Sequence, residues 1–289
     1  MEKIIDTHVH VWDLEKMQLP WLESEGYLKQ TFLESDYIKS IKSEKFCITD
    51  AIYMEVDCAK ECKKKENSDA ITWCENTQSI FSKAIISADL SSSECRGYID
   101  EYKTKVSGVR QVLHIAEREK GFCLQKQFIE NVRYLGEVGL TFDLCLRNSE
   151  LTDGYELAKA CPNTTIVLNH MGNPTMDFFV EPLSEKSAQN KKIWLKNLLK
   201  YSTLENVYCK ISGIMESDNF TFSDSSKDID KVLDIFGEDH ILYASNYPVL
   251  NLGGGLVKWT EFLVALTMSR SSACKEKLFR KNAKKIYFK

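Results

Sequence analysis

The sequence lacks the features of several common classes of protein. It has no apolar run approaching the roughly 18 residues of a membrane span, and its first residues have a strand pattern rather than a signal-peptide pattern. The 38 basic residues are outnumbered by 42 acidic ones, and a net charge of −4 offers no broad positive field for nucleic acid or an anionic membrane. We therefore expect a cytosolic protein whose partner is a small molecule.

Motifs that pair cysteines are also absent. The chain has ten cysteines, yet no two have the Cys-x-x-Cys spacing of redox and zinc motifs. Cys47, Cys145 and Cys209 lie inside apolar, strand-like runs, which is typical of buried reduced thiols rather than of a disulfide scaffold. Cys58 and Cys62 are four residues apart in a charged segment, where a surface pair is a simpler interpretation than a metal site.

Eight short apolar runs alternate with segments of helical periodicity. The predicted strands are Lys3–Val9, Ile48–Val56, Phe81–Leu90, Gly108–Leu113, Leu140–Leu146, Thr164–Asn169, Val207–Ser212 and Ile241–Ser245. The predicted helices are Ser68–Ser79, Cys123–Val138, Gly154–Ala160, Ile193–Ser202, Asp228–Phe236, Val257–Met268 and Glu276–Tyr287. Continuous apolar strands that alternate with helices indicate a parallel sheet, and eight such units suggest closure. The predicted fold is a single-domain (β/α)8 TIM barrel over residues 1–289.

An open, doubly wound sheet is the alternative fold. It would need a glycine-rich phosphate turn after the first strand, whereas residues 8–13 contain no glycine. Two long segments, residues 12–37 and 172–190, are predicted to be irregular loops. Loops at the mouth of a barrel often form substrate pockets, so we assign these two to recognition, with plain surface insertion as the alternative.

Side chains of catalytic type follow the predicted strands at their carboxyl ends, where barrels of this class build active sites. His8 and His10 are two residues apart on the first strand, so both imidazoles lie on one face and could share a metal ion. The other such side chains are Glu55, Asp57, Arg110, His114, Asp143, Arg147, His170, Lys210 and Asn246. His240 precedes the eighth strand and is expected at the opposite, structural end. We therefore predict one site that draws on most of the strands.

Five ordered segments carry a resemblance to a known family. They are Asp6–Asp13, Gly108–Arg110, Leu168–Pro174, Asn206–Gly213 and Ser245–Val249. Together they resemble the branch of the amidohydrolase superfamily that contains sugar lactonases and dicarboxylate lactonases, and Asn282, Ala283 and Tyr287 are similar to its closing helix. The resemblance implies a (β/α)8 barrel that hydrolyses a cyclic ester, either with one divalent ion such as Zn or Mn or without metal.

The resemblance also implies roles for individual residues. His8, His10 and His170 would surround the attacked carbonyl as metal ligands or polarising groups. Arg110 would hold a substrate oxygen or carboxylate, and Arg147 and Lys210 are weaker candidates for the same task.

Three further residues complete the expected site. Tyr247 replaces a tryptophan of the family and is expected, with Trp12, to contact the substrate; packing at the rim is the alternative for Tyr247. Glu55 is either a further metal ligand or a carboxylate bound to a neighbouring loop.

One position departs from the family pattern. Related proteins have Ser-Asp-Trp-Pro at the end of strand eight, with the Asp as general base, whereas this chain has Ser245-Asn246-Tyr247-Pro248. An amide keeps the shape of a carboxylate but does not take a proton from water, and loss of a general base costs about 10²- to 10⁴-fold in rate.

Three explanations of Asn246 stay open. The first is a deliberate Asp-to-Asn replacement that traps ligand. The second is a natural enzyme that uses another base, such as His170 or Glu55, or a metal-bound water. The third is a natural binding protein without turnover.

The predicted function is opening of a sugar lactone or a carboxylated lactone by activated water, with Asn246 and His170 at the reacting centre. A decarboxylase on a related barrel and a non-catalytic small-molecule binder are the alternatives. We expect a small-molecule lactone or carboxylate as the partner and neither nucleic acid nor membrane, and aromatic residues in the loops would permit a homodimer.

Overall fold

The computed structural model describes all residues from 1 to 289. Eight strands form one parallel sheet, and their order across the sheet is their order along the chain. They are β1 (Glu2–Val9), β2 (Phe46–Met54), β3 (Phe81–Ser87), β4 (Gly108–Val112), β5 (Thr141–Cys145), β6 (Ile166–Leu168), β7 (Val207–Ile211) and β8 (Ile241–Tyr243). The eight predicted strands and the (β/α)8 TIM barrel are confirmed, with shifts only at the strand ends.

Backbone hydrogen bonds just beyond β8 bring the last strand against the first. The amide of Asn246 donates to the carbonyl of His8 at 3.0 Å, and the amide of His10 donates to the carbonyl of Tyr247 at 2.8 Å. Val9 and Tyr247 form a parallel bridge between these bonds. The barrel therefore closes at the level of the two N-terminal histidines.

Helices cover the outside of the barrel. They are α1 (Glu34–Ser40), α2 (Lys63–Glu75), α3 (Cys95–Tyr102), α4 (Lys126–Glu137), α5 (Leu151–Ala160), α6 (Glu185–Tyr201), α7 (Ser226–Phe236), α8 (Leu256–Leu266), α9 (Ser272–Glu276) and α10 (Asn282–Tyr287). A π-helical segment, Lys277–Lys281, joins the last two. None of these helices combines the length and the apolar character that crossing a bilayer requires.

Four helical segments differ from the prediction. The short helices α1, α3 and α9 were not predicted, and α1 begins inside the supposed irregular loop 12–37. The first two turns of α6 are polar and show no apolar period, so its start at Glu185 was placed in the irregular segment 172–190. There Ser184 caps the helix by accepting a hydrogen bond from the amide of Ser187 at 3.0 Å.

The interior of the barrel is closed at one end only. The C-terminal residues Ile286 and Tyr287 pack against Ile5, Ile52 and Leu242, which the strands direct inward. The hydroxyl of Ser107, immediately before β4, donates to the carbonyl of Tyr287 at 2.5 Å. Because α10 thus covers the amino ends of the strands, the carboxyl ends form the mouth.

Candidate active site

A cavity of about 370 Å³ lies at the carboxyl ends of the strands. Among the residues singled out from the sequence for the reaction, His10, Arg110, His170 and Asn246 line it. His8 is fully buried beneath them. The structure therefore brings together side chains from β1, from β4 and from the turns after β6 and β8.

Unusual backbone conformations are concentrated around this cavity. Four of its non-glycine residues have positive φ angles: Asp57 (48°), His170 (53°), Asn173 (53°) and Asn246 (62°). A left-handed residue other than glycine costs about 1–3 kcal/mol, so such residues cluster where a site requires a particular side-chain direction. At Gly213 (φ 81°) an added Cβ would lie 2.5 Å from the Cβ of His170, so glycine allows the imidazole to sit there.

The hydrogen bonds of His8 and His10 fix their tautomers. The Nδ1 atom of His10 lies 3.0 Å from the carbonyl oxygen of Met54, and a carbonyl only accepts, so Nδ1 carries the proton. The Nε2 atom of His10 is then an acceptor, and the Nε2 of His8, 3.1 Å away, donates to it. The Nδ1 of His8 consequently accepts from the Lys210 ammonium at 3.4 Å.

All three imidazoles are electrically neutral near pH 7. Burial lowers the pKa of His10 to about 3, with the charge of Arg110 as the next cause. Burial also lowers the pKa of His8 and of His170 well below the usual range, and nearby Lys210 and Arg110 add to the effect. Neutral imidazoles can hydrogen bond to a substrate without adding charge to the cavity.

Arg110 is held in place by Glu55. Its Nε donates to Glu55 Oε1 at 2.5 Å and its Nη2 donates to the Glu55 carbonyl at 2.6 Å, while Nη1 lies 3.4 Å from His8 Nε2. The second carboxylate oxygen of Glu55 accepts from the amide of Asp57 at 2.8 Å. Glu55 thus binds the loop after β2, as one alternative proposed, and orients the guanidinium.

Lys210 does not reach the cavity. Its side chain is fully buried, and its Nζ donates to Asp143 Oδ1 at 2.5 Å. Asp143 also accepts from Asn169 Nδ2 at 2.9 Å and from the Tyr287 hydroxyl at 3.2 Å. The predicted substrate contact of Lys210 is therefore corrected: the ammonium lies below His8 and supports it.

Arg147 also lies outside the cavity wall. Its guanidinium donates to the carbonyls of Ile115 and Arg118 and to Glu150 Oε1, the last at 2.8 Å. These bonds hold the segment that follows β4. Arg147 therefore anchors a loop and does not line the cavity, in contrast to the substrate contact that the sequence predicted.

The predicted aromatic contacts are corrected as well. Trp12 donates through Nε1 to the Gln30 carbonyl at 2.7 Å and packs against Phe32, and Tyr247 packs between Phe32 and Tyr37. Neither ring lines the cavity. Tyr247 follows the inward-facing Asn246 and so points the other way, and the Trp12 indole is turned to the Gln30 carbonyl. The aromatic wall is Trp21, which belongs to the predicted loop 12–37.

Two further polar groups line the cavity, and their pairing was not anticipated. Cys145, the last residue of β5, has its Sγ 3.3 Å from Nδ1 of His114, which lies just beyond β4. Although burial by itself would raise it, the pKa of the Cys145 thiol is lowered, by His114 first and Arg110 next. Cys145 in turn raises the pKa of His114. The sequence did contain a signal for Cys145: it is two residues after the inward-facing Asp143 on the same strand, so its side chain is expected to face inward as well.

The donor set does not fit a divalent metal ion. No three side chains among His, Cys, Asp and Glu come together in an arrangement that could hold one. Both ring nitrogens of His8 face cations, Lys210 and Arg110. The nearby carboxylates Glu55 and Asp143 are already paired with those cations, and position 246 offers only a neutral amide. The predicted three-histidine metal site is therefore not assembled here.

Comparisons with known proteins agree with the barrel fold. An L-rhamnono-γ-lactonase of Scheffersomyces stipitis is 22% identical over 99% of this chain and 98% of that protein. An L-fucono-1,5-lactonase of Burkholderia multivorans is 20% identical over 93% of this chain and 90% of its own. A crystal structure of a B. multivorans amidohydrolase with bound zinc superposes with a TM-score of 0.83 at 20% identity, covering 98% of both chains.

The amidohydrolase family model itself matches residues 5–289. This match spans the eight strands, apart from the first three residues of β1, and every residue of the cavity described above. The chain therefore belongs to the amidohydrolase family.

Proposed function

We propose that this protein is a lactonase, which opens a cyclic ester of a sugar acid by hydrolysis. The observation that carries the proposal is the meeting of Arg110, His170 and Asn246 in one cavity at the mouth of an amidohydrolase barrel. The curated relatives named as sugar lactonases support the same class of reaction.

The charge distribution suits attack on an ester carbonyl. Addition of a nucleophile turns the carbonyl oxygen into an oxyanion, and a preorganised cation at that position is worth about 10²- to 10³-fold in rate. Arg110 is such a cation, because Glu55 fixes its direction through two hydrogen bonds. His170 bonds through Nδ1 to the Ser212 hydroxyl at 2.8 Å, which leaves Nε2 for a substrate oxygen.

The walls favour a neutral, hydroxyl-rich lactone over one bearing carboxylates. The charge of Arg110 is already balanced by Glu55, and the other expected cations, Lys210 and Arg147, lie outside the cavity. Glu25 and Asp57 add carboxyl groups to the wall. Carboxylates accept hydrogen bonds from sugar hydroxyls and repel anionic substrates.

A panel of lactones tests this proposal. L-rhamnono-γ-lactone, L-fucono-1,5-lactone and a lactone with two carboxylates would be incubated with the protein, and acid release followed by pH indicator and mass spectrometry. We expect opening of at least one sugar lactone and at least about tenfold lower kcat/KM for the dicarboxylate, a difference of about 1.4 kcal/mol. Faster opening of the dicarboxylate than of the sugar lactones would overturn the proposal that the substrate is a neutral sugar lactone.

The alternative of a binding protein is favoured by one observation, the neutral amide of Asn246. It predicts that sugar lactones bind in calorimetry and are recovered unchanged. Saturable binding without product, in protein that is fully folded by circular dichroism, would replace the lactonase proposal by this one.

A further inference from the structure

We propose that Cys145 is a covalent nucleophile of this cavity and that His114 is its acid–base partner. The inference rests on the proposed lactonase function and names the groups that replace the carboxylate missing at position 246. The distance of 3.3 Å between Sγ and Nδ1, and the position of both side chains on the cavity wall, carry it.

The surroundings of Cys145 stabilise a thiolate. The charge of Arg110 acts on the sulfur, and Asn173 Nδ2 points a donor at Sγ from 4.0 Å. Cationic and donor neighbours are what distinguish reactive cysteines from inert buried ones. The pKa of Cys145 is lowered accordingly, whereas burial raises the pKa of Cys209 and of Cys74.

Cys58 shows the opposite arrangement in the same molecule. Its Sγ lies 3.1 Å from a carboxylate oxygen of Glu66, and after burial that carboxylate is the main cause of a raised pKa. Cys58 is as buried as Cys145, with 3% and 2% exposure. The identity of the partner, imidazole in one case and carboxyl in the other, therefore sets the chemistry of the two thiols.

The pair is rigidly placed. The amide of Leu113 donates to the Cys145 carbonyl at 2.9 Å, which fixes the backbone next to His114. Arg147 holds the carbonyl of Ile115 on the other side of His114. Arg147 is thus a positioning residue for the imidazole, and His114 itself remains exposed at the rim, where protons exchange with solvent.

The proposed reaction needs no reagent other than the lactone and one water molecule. The thiolate adds to the lactone carbonyl carbon, the ring C–O bond breaks, and the departing alkoxide takes the proton of the His114 imidazolium. Water then adds to the thioester carbon and gives a proton to neutral His114, and the C–S bond breaks. The products are the hydroxy acid and the restored thiolate–imidazolium pair, so the net change is addition of one water to the lactone.

Alkylation with iodoacetamide tests the pair without any substrate. The protein would be treated briefly at pH 6 and each cysteine quantified by peptide mass spectrometry. The internal controls are Cys58, which is buried, and Cys47, which is exposed and not buried as its strand pattern predicted. We expect Cys145 to react at least about tenfold faster than Cys47, and His114→Gln to remove most of that advantage. A rate for Cys145 at or below that of Cys47 would overturn the proposal.

Turnover supplies the second measurement. We expect Cys145→Ala to lower kcat for the best lactone by at least about 100-fold, with Cys47→Ser unchanged, and an acid quench to show the lactone mass added to the peptide carrying Cys145. Because Cys145→Ala changes a buried residue and could misfold, a second variant is needed. His114→Gln changes an exposed residue and should also lower kcat.

The outcomes separate this inference from the proposed function. Normal lactone opening by Cys145→Ala, with no adduct in the native protein, would overturn the covalent step and leave the lactonase intact. Failure of the native protein to open any lactone would overturn both the function and the step, whatever the alkylation rates.

Discussion

Lys210 and Asp143 form an ion pair inside the barrel, with Nζ 2.5 Å from Oδ1 and no solvent exposure of either side chain. The pair lies under His8, whose Nδ1 is 3.4 Å from the ammonium. A buried charge that loses its partner keeps its desolvation cost, so the two residues depend on each other.

Removal of the buried Lys210 ammonium should therefore destabilise the fold strongly. We expect Lys210→Met to lower the free energy of unfolding by about 3 to 5 kcal/mol in urea denaturation. The surface pair of Lys39 and Asp36 provides the control, because Lys39 is exposed and Lys39→Met should cost less than about 1 kcal/mol. A similar, small loss in both variants would contradict the structural role given to Lys210.

Removal of the cavity guanidinium should affect turnover. We expect Arg110→Met to reduce kcat/KM for the preferred sugar lactone by about 10²- to 10³-fold, because the oxyanion loses its main donor. Arg133, whose Nε donates to the Ala160 carbonyl on the outside of the barrel, is the matched control, and Arg133→Met should leave kcat/KM unchanged. Equal kinetics for the two variants would remove Arg110 from the reaction.

A carboxylate at position 246 should increase the rate of lactone opening only slightly if Cys145 attacks the substrate. We expect Asn246→Asp to change kcat by less than about tenfold, since a general base that deprotonates water is not the group this chain uses. Steady-state kinetics of the two proteins on the same lactone provide the measurement. A gain of about 100-fold or more would instead identify the amide as a replacement that blocks an otherwise complete water-activating site.

The pH dependence of stability should contain a contribution from Glu66. Burial, followed by the charge of Glu55, raises the pKa of Glu66 from 4.5 to about 7. The folded state therefore holds this proton more tightly than the unfolded state, and the contribution of Glu66 is fully present below pH 4.5 and lost as the pH rises to about 7.

The Glu66→Gln variant isolates this effect. Its free energy of unfolding, measured in urea between pH 4.5 and 7.5, should decline less with rising pH than that of the native protein, because glutamine does not ionise. Parallel curves for the two proteins would mean that Glu66 ionises equally easily in the folded and unfolded chains.

Chelation provides a test of the donor set. We expect lactone opening to stay within about twofold after dialysis against EDTA, because the nitrogens of His8 face cations and the adjacent carboxylates are paired. Elemental analysis of the same samples gives the metal content before and after dialysis. Loss of activity on chelation that is restored by added zinc would show that the histidines rearrange around an ion.

The fold was accessible from the sequence because the strands are apolar throughout and alternate with amphipathic segments. The polar first turns of α6 and the short helix α1 carry no such period, so tertiary contacts and capping decide them. At the site, alternation along a strand correctly placed His10 and Arg110 on the inner face.

Alternation indicates a direction but not what covers a side chain. Lys210 points inward like Arg110, yet it is covered by His8. The position of Arg147 in the sequence did not predict that its guanidinium would donate hydrogen bonds to loop carbonyls. Cys145 resembled any buried thiol in an apolar strand, since its partner His114 comes from the neighbouring strand and is brought to it only by the closed sheet.

The hydrogen bond from the amide of Asn246 to the carbonyl of His8 joins residues from the first and last strands. During synthesis β1 leaves the ribosome long before residue 246 is made. The hydrogen bond to the His8 carbonyl therefore forms only after nearly the whole polypeptide has emerged. A chain that stops before β8 would lack this bond and the Asn246 side of the cavity, so we expect only a chain that includes β8 to bind substrate there.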